Sequence, residues 1–326
     1  DYVTTYPQAM LLPYLEENGA TVHRLPPQKT VIPYCIKLYR VLKNGHYDAV
    51  HIHKNSCANP MAFLMARLAG VKKIIAHSHS TTAIGGKMAV GFHFLFRPLV
   101  RKISTVHLAC SKPAAAWLYG EPNDAVIVQN GIDLAKFAFD EEKRRQMRAE
   151  LGVGDSLLFG HVGNFIAPKN HRFMIEIMAQ VVKTEPTAKL LFAGRGDLMD
   201  EMKHYAKQCG VENNILFLGS RPDVDKLYQA MDALLFPSLH EGLPIAGLEA
   251  QAAGLPCLFS DGVTDEILVT DDARIYPLRN TAAQWAEQLI QMAKDGKRPQ
   301  TAEAIARAGF DARQSTQTVE NIYTAE

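Results

Sequence analysis

The sequence contains few cysteines and no long apolar run, and both shortages restrict what the protein can be. Its five cysteines are scattered through 326 residues without a CxxC pair, which argues against a cysteine-based zinc motif or a disulfide framework and favours a reducing compartment. No apolar run approaches the roughly 20 residues that span a bilayer, and no signal peptide opens the sequence. We therefore expect a cytoplasmic protein.

The sequence also lacks an excess of charge of either sign. Lys and Arg total 35 against 34 Asp and Glu, which gives a formal net charge of +1, so no overall field attracts nucleic acid. Hydrophobic residues make up 47% and charged residues 21%, a composition that can bury a core and is unlike that of a disordered chain. We expect no nucleic-acid partner.

Apolar segments of strand length alternate with helical segments in two blocks. The predicted strands of the first block are ATVHRLP, DAVHIHK, KKIIAHSH, TVHLACS and AVIVQNG, and those of the second are SLLFGHVG, KLLFAGR, NILFLGS, ALLFPSL and PCLFSDG. Strands that recur with helices every ~20 to 30 residues are successive βα units of parallel sheets. We predict an α/β protein with two doubly wound, Rossmann-like domains, over residues 1–150 and 151–310.

The start of the chain departs from this pattern. The opening segment DYVTTYPQAMLLPYLEENG is predicted to be a helix that ends at Gly19. A doubly wound domain should open with a strand and a glycine-rich turn. On the order of 30 residues of a βα unit, including that strand and loop, are therefore expected to be absent from the first domain.

The segment HEGLPIAGLEAQAAG, from His240 to Gly254, carries the clearest sign of a ligand site. Pro244 suits the first turn of a helix, and Gly254 suits its end. The strand ALLFPSL precedes the segment, so the turn lies at the carboxyl end of a parallel strand, where open α/β sheets bind ligands. Free N–H groups and the helix dipole would favour a phosphate or diphosphate there; these groups belong to Gly242, Leu243 and Ile245.

Two glutamates lie on either side of this turn. Glu241 precedes the predicted helix and Glu249 lies within it, with seven residues between them. Both are placed to accept hydrogen bonds from hydroxyl groups flanking a bound phosphate. A sugar on one side and a ribose on the other would satisfy both carboxylates.

This glutamate pair, with Gly-Leu-Pro after Glu241, resembles the retaining glycosyltransferases of family 4. GHVGNFIAPKNH, LLFAGRGD and ILFLGSRPDV stand upstream in the order and spacing of that family. The resemblance implies a GT-B fold, in which two Rossmann-like domains face a cleft and a C-terminal helix, here within residues 311–326, packs back on the first domain. It also implies a nucleotide-sugar donor, expected to be a UDP-sugar, and retention at the anomeric carbon.

The resemblance assigns roles to residues of the second domain. Glu249 would hold the ribose, Glu241 the donor sugar, and Lys169 the diphosphate. Asn164 stands where many relatives have an arginine; it can donate hydrogen bonds but carries no charge. Arg195, at another strand end, is a candidate to supply that charge, although a surface arginine in a βα turn is an equally good interpretation.

One further donor-side position follows the strand NILFLGS. There Arg221 lies where relatives clamp the nucleotide base, largely through backbone groups. No Asp-x-Asp motif lies at a matching strand end, and the resembled fold works without a metal. We therefore expect neither a metal nor another cofactor, with the nucleotide sugar as a substrate.

Four histidines end two predicted strands of the first domain. Alternation along a strand sends both histidines of HIH (His51, His53) and of HSH (His77, His79) to one face. The outermost, His53 and His79, are expected to be exposed, and the resemblance places His79 at the donor sugar or the acceptor hydroxyl, with His53 on the acceptor side. Four imidazoles also raise a zinc site as an alternative, but no cysteine or carboxylate completes a set.

The segment GGKMAVGFHFLFRPLVRK, residues 85–102, mixes aromatic and cationic residues. It is either a partly buried helix with cationic ends or an interfacial segment for an anionic membrane. Pro98 interrupts a long amphipathic face and favours the first interpretation. The resemblance favours the second, peripheral to the inner face of the membrane, since relatives with this kind of HSH segment often build exopolysaccharide or capsule on lipid-linked acceptors.

These observations together predict a glycosyltransferase that moves a sugar from a nucleotide diphosphate to a glycan or lipid-linked acceptor. Two alternatives remain. A nucleotide-sugar epimerase or hydrolase of the same architecture would turn over without an acceptor. A donor-binding protein would bind the nucleotide sugar and transfer nothing.

Overall fold

The computed structural model describes residues 1–6, 12–83, 85–295 and 297–325. The chain divides into two compact units, one of residues 1–129 and 318–326 and the other of residues 130–317. Each unit contains a parallel sheet flanked by helices. The α/β prediction with two parallel-sheet domains is confirmed.

The described residues of the first unit form six strands in two sheets. Strands β1 and β2 pair in parallel, and a four-stranded parallel sheet has the order β3-β4-β5-β6. The strands are β1 (Tyr2–Thr4), β2 (Val22–Arg24), β3 (Ala49–Lys54), β4 (Lys73–Ser78), β5 (Val106–Ala109) and β6 (Val126–Ile127). The helices are α1 (Leu12–Glu17), α2 (Val31–Gly45), α3 (Met61–Ala69), α4 (Gly86–Ile103) and α5 (Lys112–Tyr119).

The prediction of a helix from the start of the chain is wrong for residues 2–4. These residues form β1, with Tyr2 opposite Val22, because Tyr, Val and Thr fit an extended chain better than a helix. The helix of this segment, α1, begins only at Leu12, and Gly19 follows its end with a φ of +83°. Residues 7–11 of the predicted helix lie outside the described residues.

The second unit contains a six-stranded parallel sheet of order β12-β11-β10-β7-β8-β9. Its strands are β7 (Leu158–Val162), β8 (Lys189–Ala193), β9 (Ile215–Gly219), β10 (Ala233–Phe236), β11 (Cys257–Ser260) and β12 (Ala273–Tyr276). The chain winds outward from β7 to β9 and then returns to the other side of β7 with β10. The strand order therefore reverses between β7 and β10, the point at which open α/β sheets form a ligand crevice.

Nine helices of the described chain follow α5. They are α6 (Leu134–Phe137), α7 (Glu141–Leu151), α8 (His171–Val181), α9 (Met199–Gln208), α10 (Val224–Ala230), α11 (Ile245–Ala252), α12 (Ala282–Lys294), α13 (Ala302–Arg307) and α14 (Ala312–Thr324). Helix α7 packs on α10, and Arg144 of α7 forms a 2.6 Å ion pair with Asp232. The division between units therefore precedes α7, ahead of the boundary at residue 150 that the sequence suggested.

Two turns at the carboxyl edge of the second sheet are held together by main-chain hydrogen bonds. The N–H of Gly163, after β7, donates to Ala193 at 3.0 Å, and the N–H of Phe165 donates to Arg195, after β8, at 2.9 Å. A Cβ atom at Gly194 would lie 1.9 Å from the carbonyl oxygen of Gly163. Only glycine permits this close approach, which places Arg195 beside the turn that leads to Lys169.

Helix α4 continues through Pro98. Its inner side is fixed by buried His93, whose Nδ1 accepts a 3.0 Å hydrogen bond from the N–H of Cys57 and whose ring stacks on Trp117 with centroids 3.9 Å apart. Met88, Phe92 and Leu95 lie on the opposite side and are exposed. Among the helices of the described ranges, none is long and apolar enough to cross a membrane.

Candidate active site

Lys169 and Glu241 meet where the strand order of the second sheet reverses. Lys169 follows β7 and Glu241 follows β10, and the Lys169 Nζ donates to the Glu241 Oε2 at 2.6 Å. Their side chains are 15% and 24% exposed. Partial burial strengthens their mutual attraction relative to a surface pair and leaves one side of each group open to a ligand.

A short turn places Lys169. Residues Ala167–Lys169 form one 3-10 turn, and Asn170 follows with a φ of +58°, a left-handed conformation that asparagine adopts more readily than most residues. The Asn170 Nδ2 donates to the carbonyl of Pro237 at 3.1 Å, and the N–H of Leu239 donates to Pro168 at 2.8 Å. The turn after β7 is thereby fixed to the segment after β10.

Helix α11 begins between the two glutamates, as the sequence predicts. Its first residue is Ile245, Pro244 caps it, and Gly254 lies beyond its end with a φ of +63°. Within the described chain, the N–H groups of Gly242, Leu243 and Ile245 donate to no backbone carbonyl. These amides and the positive end of the helix dipole form a site for an anion beside Lys169.

Glu249 lies one turn into α11 and is half-buried. Its Oε2 accepts a 3.0 Å hydrogen bond from the hydroxyl of Tyr228. Burial raises the pKa of Glu249 above its usual range, and the Tyr228 hydrogen bond opposes that rise. The carboxylate is therefore oriented by tyrosine and retains acceptor capacity for a second hydroxyl group.

The three remaining donor-side candidates differ in whether their side chains already have partners within the protein. Asn164 and Arg195 are exposed on the adjoining turns after β7 and β8, and no side-chain partner of either occurs in the described ranges. Arg221 instead forms ion pairs with Asp223 at 2.7 Å and Glu150 at 3.0 Å. Its charge is already compensated, whereas Arg195 is exposed and its charge is available to a ligand.

Two buried histidines near Lys169 were not singled out from the sequence. The Nδ1 of His161 lies 3.1 Å from the carbonyl oxygen of Leu235, and His171 stacks on Phe165 with ring centroids 4.0 Å apart. Burial, with the charge of Lys169 as a second cause, lowers the pKa of His171 to about 4. Both rings are neutral at pH 7, so they add no positive charge beneath Lys169. Only their positions within GHVGNFIAPKNH pointed to this site.

The four histidines of the first unit form one cluster. His53 is opposite His77 in the register of β3 and β4. The rings of His51 and His53 stack with centroids 4.3 Å apart, and those of His77 and His79 lie 4.1 Å apart at a tilt of 34°. The outer member of each pair is the more exposed, as predicted. Hydrogen bonds join His53 Nδ1 to His79 Nε2 at 2.7 Å and His51 Nε2 to His77 Nδ1 at 3.1 Å.

Burial and mutual repulsion keep this cluster uncharged. Burial is the larger cause that lowers the pKa of His51 to about 4, of His77 to about 3 and of His79 to about 4, and the neighbouring imidazoles add to it. Burial also lowers the pKa of His53. The imidazoles are therefore neutral at pH 7 and offer lone pairs rather than charge.

The chain matches two families of known sequences. Residues 142–309 match the family described as glycosyl transferases group 1, and residues 7–136 match the family described as glycosyltransferase family 4. The two matches together cover most of both units.

The chain is also similar in sequence to individual proteins that are named as glycosyltransferases. The chain is 33% identical over 302 residues to EpsF of Bacillus subtilis strain 168, which is named a putative glycosyltransferase; the match covers 87% of this chain and 76% of EpsF. It is 29% identical over 282 residues to the UDP-Gal:α-D-GlcNAc-diphosphoundecaprenol α-1,3-galactosyltransferase of Escherichia coli, covering 83% of this chain and 71% of that protein.

Solved structures share the fold. The crystal structure of Anabaena Alr3699/HepE in complex with UDP superposes on this chain with a TM-score of 0.77 at 18% identity, over 96% of this chain and 89% of that chain. WaaG, a glycosyltransferase involved in lipopolysaccharide biosynthesis, superposes with a TM-score of 0.64 at 17% identity, over 100% of this chain and 99% of that chain. These likenesses confirm the predicted GT-B fold.

Proposed function

The chain belongs to the glycosyl transferases group 1 family and is a family 4 glycosyltransferase of polysaccharide biosynthesis, and we propose that it transfers a sugar from a UDP-sugar to a glycan or lipid-linked hydroxyl with retention at the anomeric carbon. The observation that carries this proposal is the Lys169–Glu241 pair beside the free amides that precede α11. Lys169 and the amides bind the diphosphate, and Glu241 accepts hydrogen bonds from the donor sugar.

The same arrangement can stabilise the negative charge that develops on the departing diphosphate. As the bond between the anomeric carbon and the diphosphate oxygen breaks, negative charge grows on that oxygen. Fixed donors aimed at growing charge lower the barrier more than flexible water does. In this proposal Lys169, the helix terminus and Arg195 fill that role, so the reaction uses no metal ion.

Glu249 and the first unit complete the proposed roles. Glu249, oriented by Tyr228, accepts hydrogen bonds from the ribose hydroxyls. Asn164 and Arg221 lie at the edge of the donor site, toward the phosphates and the base. His79 contacts the donor sugar or the acceptor hydroxyl, and His53 orients the acceptor side through its 2.7 Å hydrogen bond with His79.

The identity of the donor is supported by a relative. The Escherichia coli protein that is 29% identical to this chain is named for a UDP-galactose donor and a diphosphoundecaprenol-linked acceptor. A UDP-hexose or UDP-N-acetylhexosamine and a lipid-linked glycan are therefore the substrates to test first.

The test begins with thermal melting of the protein with UDP, GDP, ADP and their sugars. UDP and UDP-sugars should raise the melting temperature most, because ligands that bind the native state stabilise it. Transfer is then measured with the preferred donor and lipid-linked acceptors, with and without EDTA, and NMR of the product gives the anomeric configuration. Inversion, or loss of activity in EDTA that manganese restores, would overturn the corresponding part of the proposal.

The same assays separate the two alternatives. Release of UDP that is independent of any acceptor would indicate a hydrolase, and a change in the donor sugar alone an epimerase. Tight donor binding with no transfer to any acceptor would indicate a donor-binding protein.

Helix α4 supports a further part of the proposal, a peripheral contact with an anionic membrane. Met88, Phe92 and Leu95 recur at helical spacing and are 74%, 45% and 65% exposed. Lys87 and Lys102 flank this apolar stripe and are exposed. Apolar side chains between cationic ones favour an interface with anionic lipid headgroups.

Vesicle flotation tests this contact. The protein should float with vesicles that contain phosphatidylglycerol and much less with pure phosphatidylcholine, and Leu95→Ser should weaken flotation. Leu68→Ser is the matched control, since Leu68 is 65% exposed on α3. Equal flotation of the two variants would remove α4 from the contact.

A further inference from the structure

Three imidazoles of the first unit lie close enough together to share one metal ion. One ring nitrogen each from His51, His53 and His77 lies within 4.8 Å of the other two. The parallel register of β3 and β4 brings them together, because His53 is opposite His77 and all three side chains lie on one face of the sheet. The sequence alone could not show this, since it does not reveal which strands are neighbours.

One of the distances between these nitrogens already fits a transition metal. The Nε2 of His51 lies 3.1 Å from the Nδ1 of His77. Two nitrogens that bind tetrahedral Zn²⁺ at ~2.0 to 2.1 Å lie about 3.3 Å apart. A metal could therefore replace the hydrogen bond between these rings with little movement of either strand.

A tyrosine orients one of the ligands. The Nδ1 of His51 lies 2.6 Å from the hydroxyl oxygen of Tyr323. With the proton on Nδ1, the lone pair of His51 is on Nε2, the atom that faces His77. Histidines that bind metals usually have their second nitrogen held in this way.

The segment that carries Tyr323 is itself held in place. Lys73, at the start of β4, donates to the carbonyl oxygens of Ile322 at 3.1 Å and Tyr323 at 3.2 Å. His51 and His53 also line a cavity of about 550 Å³, through which an ion can reach the cluster.

We propose that His51, His53 and His77 bind a transition-metal ion such as Zn²⁺, with a fourth position open to water or to His79. Imidazole ligands without a carboxylate select zinc, nickel or copper over magnesium or calcium. This site is separate from the diphosphate site, which lies in the other unit, and it goes beyond the glycosyl transfer proposed above. Its ligand His53 and the neighbouring His79 also have roles in that transfer, which uses no metal ion.

Metal binding is measured directly, without any activity assay. The full chain is dialysed against EDTA, freed of the chelator and titrated with Zn²⁺ by calorimetry, and Co²⁺ is added separately to follow its visible absorption. One Zn²⁺ should bind per chain, and Co²⁺ should give the intense bands of a tetrahedral site. Absence of Zn²⁺ binding would overturn the proposal.

Two variants identify the site. His51→Ala removes a ligand, and Tyr323→Phe keeps the ring but removes the hydroxyl that orients His51. Tyr323→Phe should weaken Zn²⁺ binding by about tenfold to a hundredfold, and His51→Ala by at least as much. Circular dichroism of the metal-free protein shows whether His51→Ala folds. If it does not, the Zn²⁺ affinity of Tyr323→Phe still tests the proposal.

The control is His46→Asn. His46 is exposed and has a φ of +48°, a conformation that asparagine accepts, so this variant removes an imidazole without disturbing the fold. It should bind Zn²⁺ as the unaltered chain does. The proposal is overturned if His46→Asn loses as much Zn²⁺ affinity as His51→Ala. It is also overturned if both His51→Ala and Tyr323→Phe bind Zn²⁺ as the unaltered chain does, because zinc then binds elsewhere.

Discussion

The ammonium group of Lys169 donates a 2.6 Å hydrogen bond to the carboxylate of Glu241, although the two residues are 72 positions apart. They meet because β10 returns to the side of β7 after β8 and β9 have been laid down on the other side. Each residue compensates the charge of the other while no donor is bound. In the proposed function, a diphosphate engages Lys169 while the donor sugar donates hydrogen bonds to Glu241, so neither residue is left without a partner when the donor binds.

Replacing Lys169 should weaken UDP binding. A charge-assisted bond to phosphate contributes ~1.5 to 3 kcal/mol, so Lys169→Ala should lower the affinity by about tenfold to a hundredfold. Calorimetric titration with UDP measures the change. Lys183→Ala is the control, because Lys183 lies in the exposed turn after α8 and its ammonium group donates a hydrogen bond to the nearby Gln180. Equal UDP affinity in both variants would remove Lys169 from the donor site.

Replacing Glu249 should weaken binding through the ribose. Glu249→Gln removes the charge from the acceptor and should lower the affinity for UDP by about tenfold to a hundredfold. With 2′,3′-dideoxyuridine diphosphate, which lacks both ribose hydroxyls, the variant and the unaltered protein should bind equally. An identical loss with both ligands would show that Glu249 acts on the structure of α11 and not on the ribose.

His79 should affect transfer and leave donor binding unchanged. The donor-side residues belong to the second unit and His79 to the first. His79→Ala should therefore slow transfer by about a hundredfold or more, while UDP affinity stays the same. Steady-state transfer rates and calorimetry are compared, with His46→Asn as a control. A large loss of UDP affinity in His79→Ala would contradict this division of roles.

Local patterns in the sequence were sufficient for the βα units and for the turn before α11. Pro244, Gly254 and the apolar strand ALLFPSL act over a few residues, and each does what its local chemistry dictates. The helix prediction for the opening segment was wrong for residues 2–4. Their residue types favour an extended chain, and the strand that pairs with them, β2, lies outside the segment.

Contacts between segments that are far apart in the chain could not be predicted from the sequence. His51 and Tyr323 are 272 residues apart, and their contact depends on where the end of the chain returns to the first unit. The ion pair of Arg221 with Glu150, 71 residues away, likewise could not be seen in advance. Residue types indicated which side chains could bind a ligand or form an ion pair. The order of the strands determined which of these side chains are in contact.

Acid should destabilise the second unit through His171. Its folded-state pKa is lowered to about 4 from an ordinary value of 6.5, so between these values the unfolded chain binds the proton and the folded chain does not. The free energy of unfolding therefore falls as the pH drops from 6.5 towards 4, by about 2 kcal/mol for this group at about pH 5. Above pH 6.5 the contribution is fully present.

Urea denaturation at about pH 7.5 and about pH 5 measures this effect. His171→Phe keeps an aromatic ring against Phe165 and should lose less stability on acidification than the unaltered protein. His204→Ala is the control, since His204 is exposed. If His171→Phe and His204→Ala show the same pH dependence as the unaltered protein, His171 does not titrate as its burial implies.

The interlocked turns after β7 and β8 also bear on how this enzyme can change over generations. Gly194 cannot acquire a side chain without meeting the carbonyl of Gly163, whereas Arg195 beside it projects from a backbone whose shape does not depend on it. Randomised codons at position 194 should return glycine almost alone, and those at 195 should return many residues that fold. The backbone of this loop therefore does not depend on the side chain at residue 195, so substitutions there can change the charge at the edge of the sheet without disturbing the strands behind it.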